Sequence, residues 1–158
     1  MTRLAVAIFG LVLAFWPTAS LAADAGTLTI APQDQQAREY TLEDLDSMPQ
    51  ETIRTKTVWT EGVVEFSGVV LAHLLADAGI KTGTVKLSAL NDYSVEFPVD
   101  EAGDDYPIVA TRINGEAMPV REKGPFWVIY PYDQSDDFRT ETIYIRSIWQ
   151  LNRIVAIE

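Results

Sequence analysis

The chain has 158 residues, 47% of them hydrophobic, with 12 lysines and arginines against 23 acidic residues, one histidine and no cysteine. That length suits one domain of ordinary size. The missing cysteine excludes a disulfide framework, a thiolate-held zinc or iron–sulfur site and a cysteine nucleophile, and a net charge of -11 argues against a phosphate backbone or an anionic bilayer as partner.

Residues 1–22 read as a signal peptide. Met1, Thr2 and Arg3 give a short positive start, Leu4 to Trp16 form an apolar run of about a dozen residues, and Ser20-Leu21-Ala22 offers small residues for cleavage before Ala23. Their removal takes away one arginine and no acid, so the mature chain is more acidic than its precursor. Export of this kind points to a periplasm, where a chain without disulfides depends on core packing.

Residues 23–40 are expected to form a leader and a first strand at Leu28-Thr29-Ile30, with Pro32 to Arg38 as polar loop. Thr41 is positioned to cap a short helix carrying Leu42, Leu45 and Met48 and ending at Pro49. Ile53 to Trp59 and a second run through Phe66, joined by Glu61-Gly62, predict a hairpin. Ser67-Gly68 is expected to open a helix whose apolar stripe is Leu71, Leu74, Leu75 and Ala78, closed by Gly79. His73 lies off that stripe and reads as a surface residue. Val85, Leu87 and Ala89 alternate with polar residues, as do Tyr93, Val95 and Phe97 beyond the turn at Asn91-Asp92, which predicts two antiparallel strands. Ile108 to Ile113 reads as a strand turned by Asn114-Gly115, Phe126 to Tyr130 as a buried strand entered through Gly124-Pro125, and Ile143 to Ile157 as a closing strand pair. Many strands with two or three short helices make an α+β domain.

Motifs for chemistry are mostly absent. No glycine-rich loop has nucleotide-binding spacing, no serine sits in a nucleophile elbow, and one histidine does not build the usual metal sites. Asp104-Asp105 and Asp133 with Asp136-Asp137 lack calcium-loop spacing and read as solvated acidic loops. What remains is a set of aromatic and polar residues near strand ends: Trp59 with Glu61, Asn91-Asp92-Tyr93, Arg112, Lys123, Tyr130 to Asp133 including Tyr132, and Arg146 with Trp149 and Gln150. Singly, each aromatic reads as core filling with its polar end at the surface. Together they supply what a flat heteroaromatic ligand needs, a ring face for stacking and fixed groups to read its edge. A carboxylate such as Glu61 or Asp92 accepts two hydrogen bonds from an amidine-like edge, and Arg112, Lys123 or Arg146 holds oxygens.

Several of these segments fall in a recognisable order. Trp59-Thr60-Glu61-Gly62, then Phe66-Ser67-Gly68-Val69-Val70-Leu71 leading into Leu74-Leu75-Ala76-Asp77-Ala78-Gly79, resembles the start of the molybdopterin-binding domain of the sulfite oxidase family, with its glycine-led helix. Asn91-Asp92-Tyr93, Arg112 to Pro119, Gly124 to Pro131 and the closing stretch from Ser147-Ile148-Trp149 to Ile154 extend the resemblance over Thr41 to Glu158. It implies a single mixed-sheet domain of that type over residues 41–158. The family ligates molybdenum through a cysteine at the end of the strand that here reads Thr57-Val58-Trp59-Thr60, and this chain has none.

The resemblance to short, exported, cysteine-free members of this superfamily implies a periplasmic pterin receptor. Such a protein binds a free reduced pterin, carries no catalytic cofactor, and signals to the periplasmic domain of an inner-membrane enzyme that makes or degrades cyclic di-GMP. Trp59, Tyr93, Tyr132 or Trp149 would stack on the ring, and Glu61, Asp92, Arg112 or Arg146 would read its edge. Two alternatives stand beside this one: a molybdenum oxidoreductase without a cysteine ligand, and an interaction domain for a membrane sensor with no small ligand.

Overall fold

The computed structural model describes residues 26–157. The signal-peptide reading and its cleavage point lie outside them. In chain order the elements are β1 (Leu28–Ala31), β2 (Arg38–Tyr40), α1 (Leu42–Ser47), β3 (Gln50–Lys56), β4 (Val63–Val70), α2 (Leu71–Asp77), β5 (Thr84–Ala89), β6 (Ser94–Pro98), β7 (Ile108–Ile113), β8 (Glu116–Ala117), β9 (Trp127–Ile129), α3 (Glu141–Arg146) and β10 (Leu151–Ala156). Single 3₁₀ turns stand at Val99–Glu101 and Asp136–Phe138.

The strands form two sheets. One has the order β2-β1-β10-β5-β6 and is mixed, because β1 runs parallel to β10 while the other pairs are antiparallel. The other runs β3-β4-β7, with β8 and β9 both paired to β7 at different heights along it. Leu28, Ile30, Val85, Leu87 and Ile154 from the first sheet join Phe66, Val69, Ile108 and Val109 from the second in one cluster of buried residues, together with Leu71, Leu74 and Leu75 of α2. Each such side chain contributes about 1.5–3 kcal/mol on leaving water. Ile108 to Ala110 and Trp127 to Ile129 are buried without alternation, as expected of strands covered on both faces. The domain is α+β, as the sequence implied.

Local chemistry sets several boundaries. Thr41 caps α1 in a reciprocal box: its hydroxyl accepts from the Asp44 N–H at 3.1 Å, and the Asp44 carboxylate accepts from the Thr41 N–H at 2.8 Å. The Thr41 hydroxyl also donates to that carboxylate at 2.7 Å, and this bond together with the one from the Thr41 N–H holds the Asp44 carboxyl below its ordinary range. Asn114 and Gly115 both take positive φ, 49° and 83°, in the β7–β8 turn.

Three expectations need correction. First, β3 stops at Lys56, short of Trp59, because the Thr57 hydroxyl accepts from the Trp59 N–H at 3.0 Å and draws the chain into a turn. Second, Gly68 does not open the helix. β4 continues through Val70, with Gly68, Val69 and Val70 opposite Ala110, Val109 and Ile108 of β7, and α2 begins at Leu71. Third, Ile143 does not begin a strand. Thr140 caps α3, its hydroxyl accepting from the Ile143 N–H at 3.4 Å, and Ile143 and Tyr144 pack on the core from a helix despite the β preference of this run. Only β10 remains of the expected closing pair.

Candidate functional site

The site is built around the loop between β3 and β4. Two long-range hydrogen bonds fix its entrance: the Lys56 N–H donates to the Asp133 carboxylate at 2.7 Å, and the Asp133 N–H donates to the Thr55 hydroxyl at 3.1 Å. Within the loop the Thr57 and Thr60 hydroxyls are 2.8 Å apart. Trp59 is thereby held inward, edge-on to Trp127, Tyr144 and Trp149 with ring centroids 5.8, 5.7 and 5.7 Å away, and to Tyr132 at 6.3 Å. Edge-to-face rings at these distances attract beyond their area burial.

Trp59 forms one wall of a cleft of about 690 Å³. The β5–β6 turn contributes Asn91 and Tyr93, α3 contributes Glu141, Tyr144 and Ile145, and the segment leading into β10 contributes Ser147, Ile148 and Trp149. This volume falls within the usual range for small-molecule sites. The turn is shaped by Asp92 at φ 65° and by the Asn91 side-chain oxygen, which accepts from the Tyr93 N–H at 3.2 Å. The Tyr93 hydroxyl reaches the Ile145 carbonyl at 3.4 Å, linking the turn to α3.

Ser147 fastens α3 to the floor. Its hydroxyl accepts from the Tyr132 hydroxyl at 2.6 Å and donates to the Ile143 carbonyl at 2.7 Å, while its own carbonyl accepts from the Trp127 indole N–H at 3.1 Å. Trp59 also lines a second cavity of about 400 Å³, with Thr60, Ile113, Met118, Glu122, Lys123 and Trp127. The Lys123 ammonium sits over Trp149 at 4.8 Å and over Trp127 at 5.3 Å.

Of the residues singled out in the sequence, the cleft gathers Trp59, Asn91, Tyr93 and Trp149. Lys123 lines the neighbouring cavity. Tyr132 lies beneath Trp59, only 2% exposed and with its hydroxyl engaged, so it supports the wall. Glu61 and Asp92 are exposed and line neither space. Arg112 is paired with Asp46, and Arg146 is paired with Glu101 while stacked over Phe97. Neither arginine lines the two cavities, because each is neutralised by a carboxylate from a distant part of the chain. Glu141, Tyr144, Ile145 and Ser147 escaped the sequence reading. Their signal was Thr140 as a helix cap, masked by the strand-like Ile-Tyr-Ile.

Tyr130, next to this floor, is 3% exposed and its hydroxyl has no partner among the described residues. Burial raises the pKa of both Tyr130 and Tyr132 well above the ordinary 10.0. Their contribution to stability is therefore complete below about pH 10 and lost as pH rises beyond it, since the unfolded chain releases those protons first. Tyr130→Phe is expected to leave neutral-pH stability unchanged or raise it by about 1 kcal/mol, because it removes an orphaned polar group. It should also soften the alkaline fall, read from urea midpoints between pH 8 and 11. A loss of more than about 1 kcal/mol at neutral pH counts against an unpaired hydroxyl.

Two sheets and, among the described residues, three short helices make a small α+β domain with an aromatic cleft beside the β3–β4 loop. The model of the oxidoreductase molybdopterin binding domain matches residues 16–133, most of the chain, and the protein belongs to that family. Among solved structures, the crystal structure of the sulfane dehydrogenase SoxCD from Paracoccus pantotrophus is similar in fold, with a TM-score of 0.62 at 23% identity. The match covers 86% of this chain and 39% of that one, so this chain spans well under half of that enzyme subunit. No curated protein matches.

The cleft does not fit the metal-bearing form of the family's cofactor. No thiolate is available anywhere in the sequence, and the Thr57 and Thr60 hydroxyls at the expected ligand position are turned on each other. Among the described residues, no cation lines the cleft and its one charged group is Glu141. No grouping of three histidines or carboxylates suited to a metal occurs there either.

Proposed function

We propose that this protein is a pterin-binding receptor without catalysis of its own. The observation that carries this reading is the cleft itself, in which Trp59, Tyr93, Tyr144 and Trp149 surround a space sized for a small flat ring. Aromatic walls supply stacking surface at low entropic cost, and Asn91 and Glu141 supply polar contacts at the edge. Family membership supports a pterin as the ring, and the missing cysteine supports binding without metal-centred chemistry.

The resemblance to exported, cysteine-free members supports a periplasmic location and a partner. In this proposal the partner is the periplasmic domain of an inner-membrane protein that makes or degrades cyclic di-GMP. The cleft draws its walls from three separate parts of the chain, the β3–β4 loop, the β5–β6 turn, and α3 with the segment that leads from it into β10. A ligand touching all three favours the arrangement in which they are closed, and its effect on a partner is limited by its difference in affinity between the states.

The test is retention of a reduced pterin by the purified mature protein on ultrafiltration at micromolar ligand. Stoichiometric retention is expected. Absence of retention overturns the receptor reading.

A further inference from the structure

We infer that Glu141 selects the ligand by charge, so that the cleft takes a neutral or cationic heteroaromatic ring with adjacent N–H donors and rejects phosphorylated forms. This rests on the pterin-receptor reading and extends it to the class of ligand.

Several polar groups around the cleft are engaged, while the Tyr144 hydroxyl, the Trp149 indole N–H and the Asn91 amide N–H donors enter no hydrogen bond among the described residues. The Asn91 oxygen holds the Tyr93 N–H, the Ser147 hydroxyl both accepts from Tyr132 and donates to Ile143, and the Trp127 indole N–H is held by the Ser147 carbonyl. Glu141, exposed at the start of α3, is the one acidic or basic residue in the lining, and its side chain enters no hydrogen bond or ion pair among the described residues. Two free oxygens on one carboxylate match two parallel N–H donors, as an amino-pyrimidine edge presents them.

Among the described residues no lysine or arginine lines the cleft beside it. Arg146 leaves the same helix toward Glu101 and Phe97, and Lys123 lies over Trp149 in the neighbouring cavity. The Glu141 carboxylate is exposed at the rim of the cleft, so its repulsion of an anionic group is screened by solvent and acts on a phosphate seated within a few ångströms of it. The net charge of the chain, -11, acts in the same direction at longer range. A pterin whose phosphate lies beside Glu141 therefore meets repulsion in this cleft.

The experiment compares a tetrahydropterin carrying a hydroxylated neutral tail with its phosphate ester, by equilibrium dialysis on the mature protein and on Glu141→Gln. The unmutated protein is expected to bind the neutral form at least about tenfold more tightly, and Glu141→Gln to weaken that form by about tenfold while narrowing the gap between the two. The selectivity ratio is the deciding quantity, because damage to α3 would weaken both ligands alike. Equal binding of the two forms by the unmutated protein, or a ratio unchanged in Glu141→Gln, overturns the inference and leaves the receptor reading standing. Binding of neither form by the unmutated protein overturns the receptor reading, and this inference with it.

Discussion

Trp59→Ala is expected to abolish ligand retention and to lower stability by about 3 kcal/mol, the lower end for loss of a large packed aromatic because the ring is partly exposed. One side chain lines both cavities, of about 690 and 400 Å³, and four aromatic rings rest against its edges. Truncation joins the two spaces and removes the stacking wall in the same step. Two of the surrounding rings, Trp127 and Tyr132, are tied down through Ser147 and do not easily collapse into the gap. Trp59→Phe separates the two effects, since a smaller ring keeps part of the wall and is expected to cost about half as much stability. Urea midpoints give the stability change, and ultrafiltration with the reduced pterin gives the binding. Retention by Trp59→Ala equal to that of the unmutated protein means the ring sits elsewhere.

What the sequence made legible was local. The alternation of Val85, Leu87 and Ala89, the Asn-Gly turn after Ile113 and the Thr41 cap are each determined within a few residues, and the structure keeps all of them. Non-local determinants were hidden. Nothing near Leu28 announces that β1 lies beside β10, and nothing near Arg112 or Arg146 announces Asp46 or Glu101. Those two arginines looked available for a ligand only because their partners are 66 and 45 residues away. The same limit concealed Glu141: a run of β-branched and aromatic residues reads as strand until packing turns it into a helix that faces the cleft. The missing cysteine, by contrast, was visible from composition. Its meaning depended on a resemblance, and the cleft adds an independent reason, the absence of any lining cation among the described residues.

Gly68→Ala is expected to be the most destabilising of these substitutions. A Cβ built at Gly68 falls 2.0 Å from the Val109 carbonyl oxygen and 2.7 Å from the Ala110 Cα, both backbone atoms of the neighbouring strand. No rotamer relieves such contacts. β4 and β7 must separate at the register shift between Ser67 and Gly68, and with them moves the buried ladder that carries Val69, Val70 and Leu71 into the core. A cost of about 4 kcal/mol or more follows, against a total of about 5–15 kcal/mol for an ordinary domain. This substitution also discriminates two readings of the segment. At the start of a helix, alanine in place of glycine is neutral or favourable by up to about 1 kcal/mol, whereas inside this tight strand pair it is disruptive. Gly62→Ala is the control, with open space around the added methyl but φ at 66°, so that only left-handed backbone strain of about 1–2 kcal/mol applies. Soluble yield and urea midpoints of the two variants decide the matter. A Gly68→Ala protein with an unchanged midpoint would return that residue to the helix.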